Sequence, residues 1–528
     1  MVVAQEPLAA QIGVDILKKG GNAVDAAVAV GFAMAVTYPR AGNIGGGGFM
    51  VIHRANGDNI TIDYREAAPA AITATSFLDA QGNADPEKSR NSALAIGVPG
   101  TVAGLALAEE KYGSGRFTLA DLIAPAIALA REGFGVSATT VPASVAPRLA
   151  RWPSSAAIFL KPDGTALSAG DRLTQSDLAN SLEAVAKEGP RGLYTGPVAQ
   201  KIAAAVQAAG GVMTADDLQQ YRAIERAPVR STYRGYDIVS MAPPSSGGVE
   251  LIEMLNILEG YDLAHDDPGQ QSFLMVEAMK RAYADRALFL GDPGKVNNPV
   301  ARLIAKTYAN KWRATIDPAH ATPAIAVRAG GSVDGEGRNT THFSVVDRFG
   351  NAVSNTYTLN FSYGVGLIAS GTGVVLNNEL DDFAAKPDSP NAYGLVGFSA
   401  NAPGPGKRPL SSMTPTIVLK DGKPFLITGS PGGSHIITAV LQIIINVIDR
   451  HMDIGSAVSA PRIHNQWVPD QVDAEPGIPD GVVATLRARG DKVVPQRPFT
   501  SANSILVAPD GFVGAADPRE GGALAVGY

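Results

Sequence analysis

Thr340 stands in the run Asn339-Thr340-Thr341-His342-Phe343-Ser344, where a small, Gly-rich stretch gives way to an alternating, strand-like one. A threonine in a strand is ordinarily just a β-former. The setting offers this one another use. If the chain is cut before Thr340, the new α-amino group lies beside the threonine hydroxyl. Such an amine has a reference pKa of about 7.7–8.0, so part of it is neutral near pH 7 and can take the hydroxyl proton. Nucleophilic acyl chemistry then needs no histidine. The commoner routes are missing. The chain has no cysteine, no complete Gly-x-Ser-x-Gly turn and no Gly-x-x-x-x-Gly-Lys-Ser/Thr loop. Its 7 histidines show no metal-binding spacing, so neither a metal nor a cofactor is expected.

Other residues gather around this idea. With a two- or three-residue turn around Arg348 to Gly350, Thr340 lies opposite Leu359 or Thr358 on the next strand, within reach of the Thr358 hydroxyl. Ser354, Thr356, Thr358 and Asn360 share one face there, too polar for a core strand and suited to a site floor. The segment Asn377-Asn378-Glu379-Leu380-Asp381-Asp382-Phe383 concentrates carboxylates and amides. It reads either as a solvated acidic loop or as a pocket for an ammonium group. Thr428-Gly429-Ser430-Pro431-Gly432-Gly433-Ser434 precedes a helix, and glycine N–H groups at a helix start suit an oxyanion. The same stretch also serves as a plain strand-to-helix turn. Gly42-Asn43-Ile44-Gly45-Gly46-Gly47-Gly48 is followed by a strand, so it reads as a tight backbone crossing rather than a phosphate cradle.

These residues need elements to hold them. Helices are expected over Pro7–Lys18, stopped by Gly20-Gly21, and over Val24–Val36, capped by Asn22. Strands follow over Phe49–Arg54 and Asn59–Arg65 around an Asn56-Gly57 turn. Residues 97–290 are mainly helical, with a strand at Tyr236–Met241. Segment 321–339 is small and Gly-rich and reads as an exposed, mobile linker. Beyond it the pattern turns to β: Thr340–Asp347, Ala352–Asn360, Gly373–Leu376, Thr416–Leu419, Phe425–Thr428 and Ser504–Val507, with a helix over Ile436–Arg450. This order suggests antiparallel sheets covered by helices.

The 528 residues would make three or four domains at about 150 residues each. Hydrophobic residues at 45% and charged residues at 18% suit a large core, not disorder. A net charge of −6 provides no basic field for nucleic acid or an anionic membrane. No apolar run approaches the roughly 20 residues of a membrane span. The first residues carry no charged-then-apolar leader, so a signal peptide is expected to be absent or already removed.

Several long motifs, in order, carry a resemblance over nearly the whole chain: GGNAVDAAVAV at 20–30, GNIGGGGFM at 42–50, YREAAP at 64–69, PPSSGG at 243–248, TTHFSVVD at 340–347, TYTLN at 356–360, LNNELDDF at 376–383, PLSSMTPT at 409–416 and GSPGGS at 429–434. With them the chain resembles the gamma-glutamyltransferases (gamma-glutamyltranspeptidases), N-terminal nucleophile hydrolases made as self-cleaving precursors. The resemblance implies an α+β fold, an αββα sandwich. It implies a large subunit of residues 1–339 and a small one of 340–528, together one unit. Thr340 would be the nucleophile in autocleavage and turnover, supported by Thr358. Arg65 and Ser411, with Ser412 beside them, would hold the donor α-carboxylate. Asn360, Glu379 and Asp382 would hold its α-ammonium, and Gly432 and Gly433 the oxyanion. Residues Pro387–Gly397, with Tyr393, resemble the lid loop of some members. Position 379 is Glu where some bacterial relatives carry Gln, and the charge should tighten an ammonium.

The expected partners are therefore γ-glutamyl donors such as glutathione and glutamine, and amino acid or dipeptide acceptors. Nucleic acid and membrane are not expected, and the compartment would be periplasmic or extracellular, as in bacterial members. Two alternatives stay open: an acylase of glutaryl amides on the same fold, which needs no ammonium pocket, and an uncleaved, non-enzymatic relative.

Overall fold

The computed structural model describes residues 1–327 and 339–528; residues 328–338, most of the linker expected over 321–339, lie outside the described residues. Two large sheets are built from β1 (Val2–Ala4), β2 (Gly47–His53), β3 (Asn59–Tyr64), β4 (Ile224–Arg226), β5 (Val229–Tyr233), β6 (Tyr236–Ser240), β7 (Thr341–Val346), β8 (Ala352–Thr358), β9 (Thr416–Lys420), β10 (Lys423–Thr428), β11 (Asn503–Ala508), β12 (Gly511–Ala516) and β13 (Leu524–Val526). The first has the order β13-β1-β7-β8-β2-β3-β4 and the second β12-β11-β10-β9-β6-β5. Every pairing within them is antiparallel. Both sheets take strands from either side of Asn339, so residues 1–339 and 340–528 share them.

The layers follow from alternation along the strands. Phe343, Val345 and Tyr357 face the helices Pro7–Lys18 and Ala23–Thr37, packing with Ala26, Val30 and Phe32. On the far side, Val418 and Leu426 meet Leu255, Met279 and Ile444 of the helices Gly247–Leu258, Pro268–Phe289 and His435–Ile448. Phe49, Val51, Val239, Ile417, Ile427 and Ile505 fill the space between the sheets. Each such side chain, fully buried, contributes about 1.5–3 kcal/mol, enough in sum to fix the spacing of the two sheets. The result is the expected αββα sandwich.

Local signals hold. The helix Ala23–Thr37 starts where the Asn22 side chain accepts from the Val24 and Asp25 N–H groups, and Asp25 answers by accepting from Asn22 N at 2.9 Å. The glycine run is a backbone crossing. A Cβ on Gly46 would sit 2.1 Å from the Thr358 carbonyl oxygen, and one on Gly47 2.4 Å from that of Tyr64. Any side chain there would lift Thr358 off its seat. The β7–β8 hairpin adopts the three-residue register: Tyr357 pairs with Thr341 and Thr356 with His342, which carries Thr358 opposite Thr340.

Two expectations need correction. Ser354 and Thr356 do not join a site floor. Ser354 Oγ donates to the Thr428 carbonyl at 2.9 Å and accepts from Thr416 N at 3.0 Å, and Thr356 Oγ1 pairs with His342 Nδ1 at 2.8 Å. A polar strand face can be buried when the facing sheet supplies partners for it. The linker is also anchored at its start. Ala324–Val327 is a helical turn with Ala324 buried, and the Ala324 carbonyl accepts from Trp467 Nε1 at 2.9 Å.

Candidate active site

Thr340 immediately precedes β7 and is 6% exposed. Its Oγ1 donates to the carbonyl oxygen of Asn339 at 2.7 Å, and Thr358 Oγ1 donates to the same oxygen at 3.0 Å. The two hydroxyls are 3.4 Å apart. Asn360 N donates to Thr358 Oγ1 at 2.8 Å and fixes that rotor. Two hydroxyls thus converge on the carbonyl joining Asn339 to Thr340. His342 is not the base here. It lies in the sheet interface, bonded to Thr356 and, at 3.0 Å, to Ser344 Oγ, and burial pushes it down to about 3.

Arg65 directly follows β3 and is fully buried. Its Nε donates to the Pro409 carbonyl at 3.1 Å. Its two terminal nitrogens donate to Glu379 and Asp382, and Glu66 lies 3.8 Å away. Burial opposes the guanidinium charge, but these carboxylates outweigh it and hold Arg65 above its ordinary range. Burial in turn pushes the carboxyls up against the pull of Arg65: Glu66 to about 7, Glu379 well above the usual range, and Asp382 in the same direction. Both oxygens of Glu66 and Oε2 of Glu379 are buried with no hydrogen-bond partner among the described residues. Three carboxyls around one guanidinium leave unpartnered carboxyl oxygens that a ligand's cation can meet. The acidic segment is therefore no solvated loop: Glu379 is 1% exposed, in the helical turn Glu379–Asp382.

Ser411 and Ser412 border the same cavity as Arg65. The Ser411 carbonyl accepts from Ser246 N at 2.8 Å, and its Oγ accepts from Met413 N at 3.1 Å. Ser412 Oγ is buried with no hydrogen-bond partner among the described residues. Gly433 lies at φ +58° and Gly432 at φ +135°, just before the helix His435–Ile448. A Cβ on Gly433 would sit 2.3 Å from Tyr393 Cδ1. Tyr393 covers the site, its hydroxyl donating to the carbonyl of Asn360 at 2.9 Å and pairing with Asn360 Oδ1 at 2.5 Å.

One cavity of about 20 Å³ is bordered by Arg65, Thr340, Thr358, Asn360, Glu379, Asp382, Tyr393, Ser411, Ser412 and Gly433. Gly432 stands apart from it, on a neighbouring cavity that shares Thr340. At that volume the cavity holds about one water, far less than an amino acid. Asp381 turns away, its carboxylate taking Ser89 Oγ at 2.6 Å and Ala392 N at 2.8 Å. Residues not singled out from the sequence tie down segment 387–397, the expected lid. Asn391 Nδ2 donates to Asp382 at 3.1 Å, and Gln466 Nε2 donates to the Tyr393 carbonyl at 3.0 Å. Asn391 lies within the segment expected to form a lid, a clue to its place. Gln466 carries no signal in its own neighbourhood. Among the described residues no cluster of His, Cys, Asp and Glu could hold a metal.

The family model for gamma-glutamyltranspeptidase matches residues 9–527. The glutathione hydrolase proenzyme of Escherichia coli (strain K12) is 50% identical, covering 100% of this chain and 92% of that one. The acylase ACY 1 proenzyme of Pseudomonas sp. (strain SE83) is 40% identical, covering 99% and 92%. Among solved structures, a cephalosporin acylase from Bacillus halodurans superimposes with a TM-score of 0.86 at 28% identity, over 98% of this chain and 94% of that one. A Helicobacter pylori gamma-glutamyltranspeptidase chain gives 0.58 at 46% identity, over 60% of this chain and 91% of that one.

Proposed function

The chain belongs to the gamma-glutamyltranspeptidase family, and on that premise we propose that it cleaves itself before Thr340 and then breaks γ-glutamyl amide bonds through a γ-glutamyl–Thr340 ester. One observation carries the reading. The buried Arg65 is gripped by Glu379 and Asp382 at the edge of the cavity that holds the Thr340 hydroxyl. A guanidinium and two carboxylates side by side are what an α-carboxylate and α-ammonium on one carbon require.

Maturation comes first. Thr340 Oγ attacks the Asn339 carbonyl carbon, while Thr358 polarises the carbonyl through its 3.0 Å hydrogen bond. The Asn339–Thr340 C–N bond breaks as the Oγ proton passes to the nitrogen, freeing the Thr340 α-amine and leaving an ester on Oγ. Water hydrolyses that ester to an Asn339 carboxylate and the free Thr340 hydroxyl. In turnover that amine takes the Oγ proton as Oγ attacks the donor γ-carbonyl. The N–H groups of Gly432 and Gly433 hold the oxyanion, and the C–N bond breaks as the amine leaves with the proton. The donor α-carboxylate goes to Arg65, Ser411 and the unpartnered Ser412 hydroxyl. Its ammonium goes to Asn360, Glu379 and Asp382. Room for it requires the Tyr393–Asn360 contacts to open. Water or an amino acid or dipeptide acceptor ends the cycle. Glutathione and glutamine fit the donor class. Among the described residues no helix is long and apolar enough to cross a membrane, and the bacterial relatives support a periplasmic or secreted setting.

The structural likeness to a cephalosporin acylase favours a second reading, in which a glutaryl amide is cut and no ammonium is bound. A pair of anilides differing only in the α-amino group separates the two. The γ-glutamyl anilide should exceed the glutaryl anilide at least about a hundredfold in kcat/KM, because buried carboxylates left without their cation reject the analogue. Equal rates would hand the site to the acylase reading. A denaturing gel should show fragments of about 35 and about 20 kDa from the 54.5 kDa chain, as an N-terminal nucleophile requires.

A further inference from the structure

Thr340 borders a second cavity, of about 200 Å³, on the side away from Arg65. Gly432, Asn339, Tyr38, Arg40 and Glu520 line it with Thr340. Arg40 is its notable group. One guanidinium nitrogen donates to Glu520 at 3.1 Å and to the Thr139 carbonyl at 3.3 Å; the other donates to the Asn339 side chain at 3.1 Å. Arg40 Nε is buried with no hydrogen-bond partner among the described residues. Tyr38 donates to the same Glu520 oxygen at 3.2 Å, so the carboxylate that aims Arg40 is itself held. The other arginine of this cavity, Arg519, is already engaged by Glu475 at 2.7 Å and Asp517 at 2.9 Å.

Resting on the proposed acyl-enzyme reading, we propose that this cavity receives the incoming acceptor, and that Arg40 binds the carboxylate of an amino acid or short peptide there. The glutamyl group fills the Arg65 side, so a second reactant reaches the ester from the remaining side. Cleavage frees Asn339 from Thr340, and its departure leaves Arg40 with an open nitrogen beside the unpartnered Nε. A carboxylate can take both in the side-on manner that guanidinium favours. The acceptor's neutral amine then attacks the ester carbonyl. A C–N bond forms, the C–Oγ bond breaks, and the amine proton passes through the Thr340 α-amine to Oγ. Glu520 is a positioning residue, holding the guanidinium.

The test uses the processed enzyme with a γ-glutamyl anilide as donor and glycylglycine or glycylglycinamide as acceptor, at equal free-amine concentration. The reading is the ratio of the two acceptor KM values, which is insensitive to how fast the acyl-enzyme forms. In the parent, glycylglycine should have a KM about tenfold or more below that of the amide, as a charge-assisted bidentate contact gives. Arg40→Gln should bring the ratio to within about twofold of one, and Arg40→Lys should keep part of the preference. Arg40 also holds Asn339, so if Arg40→Gln fails to mature, Glu520→Gln takes its place and should lower the ratio severalfold. A parent ratio near one, or a ratio unchanged in whichever variant matures, overturns the proposal. A processed parent that releases no anilide at all overturns the acyl-enzyme reading as well.

Discussion

Of the buried arginines that face carboxyl groups, Arg65 and Arg286 invite comparison, and of these two only Arg65 belongs to the proposed site. Arg65 meets Glu379, Asp382 and Glu66 at a cavity that also holds Thr340. Arg286, on the helix Pro268–Phe289, lies 3.5 Å from Glu250 of the helix Gly247–Leu258 and donates to Ser246 Oγ at 3.1 Å. Burial pushes Glu250 up to about 8 and, with Asp285 nearby, Glu253 well above its usual range. By charge and burial the two clusters look alike. They differ in what they face: Glu250 and Glu253 are sealed between helices, whereas Glu379 and Asp382 border a cavity with a nucleophile and an unpartnered hydroxyl. A raised carboxyl pKa reports burial, and the reactive group beside it reports a site. The clusters also touch. Ser246 Oγ donates to the Ser411 carbonyl at 2.9 Å, so the sealed cluster backs the wall of the open one.

The sharpest break in the comparison is at the nucleophile. Thr340→Ala should leave the chain as one 54.5 kDa band and lower anilide turnover by about 10⁴-fold or more, since the Arg286 cluster has no group to replace it. Processed fragments on a gel of that variant would contradict this. Next comes the pocket's charge. Glu379→Ala combined with Asp382→Ala should cost about a hundredfold or more in γ-glutamyl kcat/KM, and shrink the preference over the glutaryl anilide. Arg65→Lys should raise the donor KM by about 10- to 100-fold while the gel still shows cleavage, because an ammonium cannot span two carboxylate oxygens and maturation needs no bound donor. Unchanged donor kinetics would make Arg65 structural, like Arg286.

The smallest effect on activity belongs to the sealed cluster, and there the readout is stability. Glu250 keeps its proton in the folded state up to about pH 8, whereas the unfolded chain loses it in the ordinary carboxylate range. The folded protein therefore binds more protons between those limits, and its stability falls as pH rises through the window. Glu250→Gln cannot ionise. Its melting temperature should match the parent at about pH 4–5 and exceed it by a margin that widens toward about pH 8, with turnover near the parent's. A margin that narrows with rising pH would mean that Glu250 is ionised and stabilised by Arg286.

Much was legible in the residues themselves, wherever the physics is local. The Asn22–Asp25 cap and the close crossing at Gly45–Gly48 depend on neighbours in sequence or on the absence of a Cβ. The turn at Arg348–Gly350 restricts pairing to two registers, and both keep Thr358 near Thr340. The motif order carried the family and the αββα fold. Only the tertiary structure decided which polar groups share a cavity. Arg65 and Glu379 are separated by 314 positions, yet direct bonds join them, and Asp381 turns away from a cavity that the adjacent Asp382 borders. The polar strand face was misread for the same reason: Ser354 finds its partner on the opposite sheet, at Thr428, and Thr356 on the neighbouring strand of its own sheet, at His342. Spacing along a chain fixes the direction of a side chain from its own strand or helix. What stands opposite depends on how separate layers pack, and that is set by the whole apolar core at once.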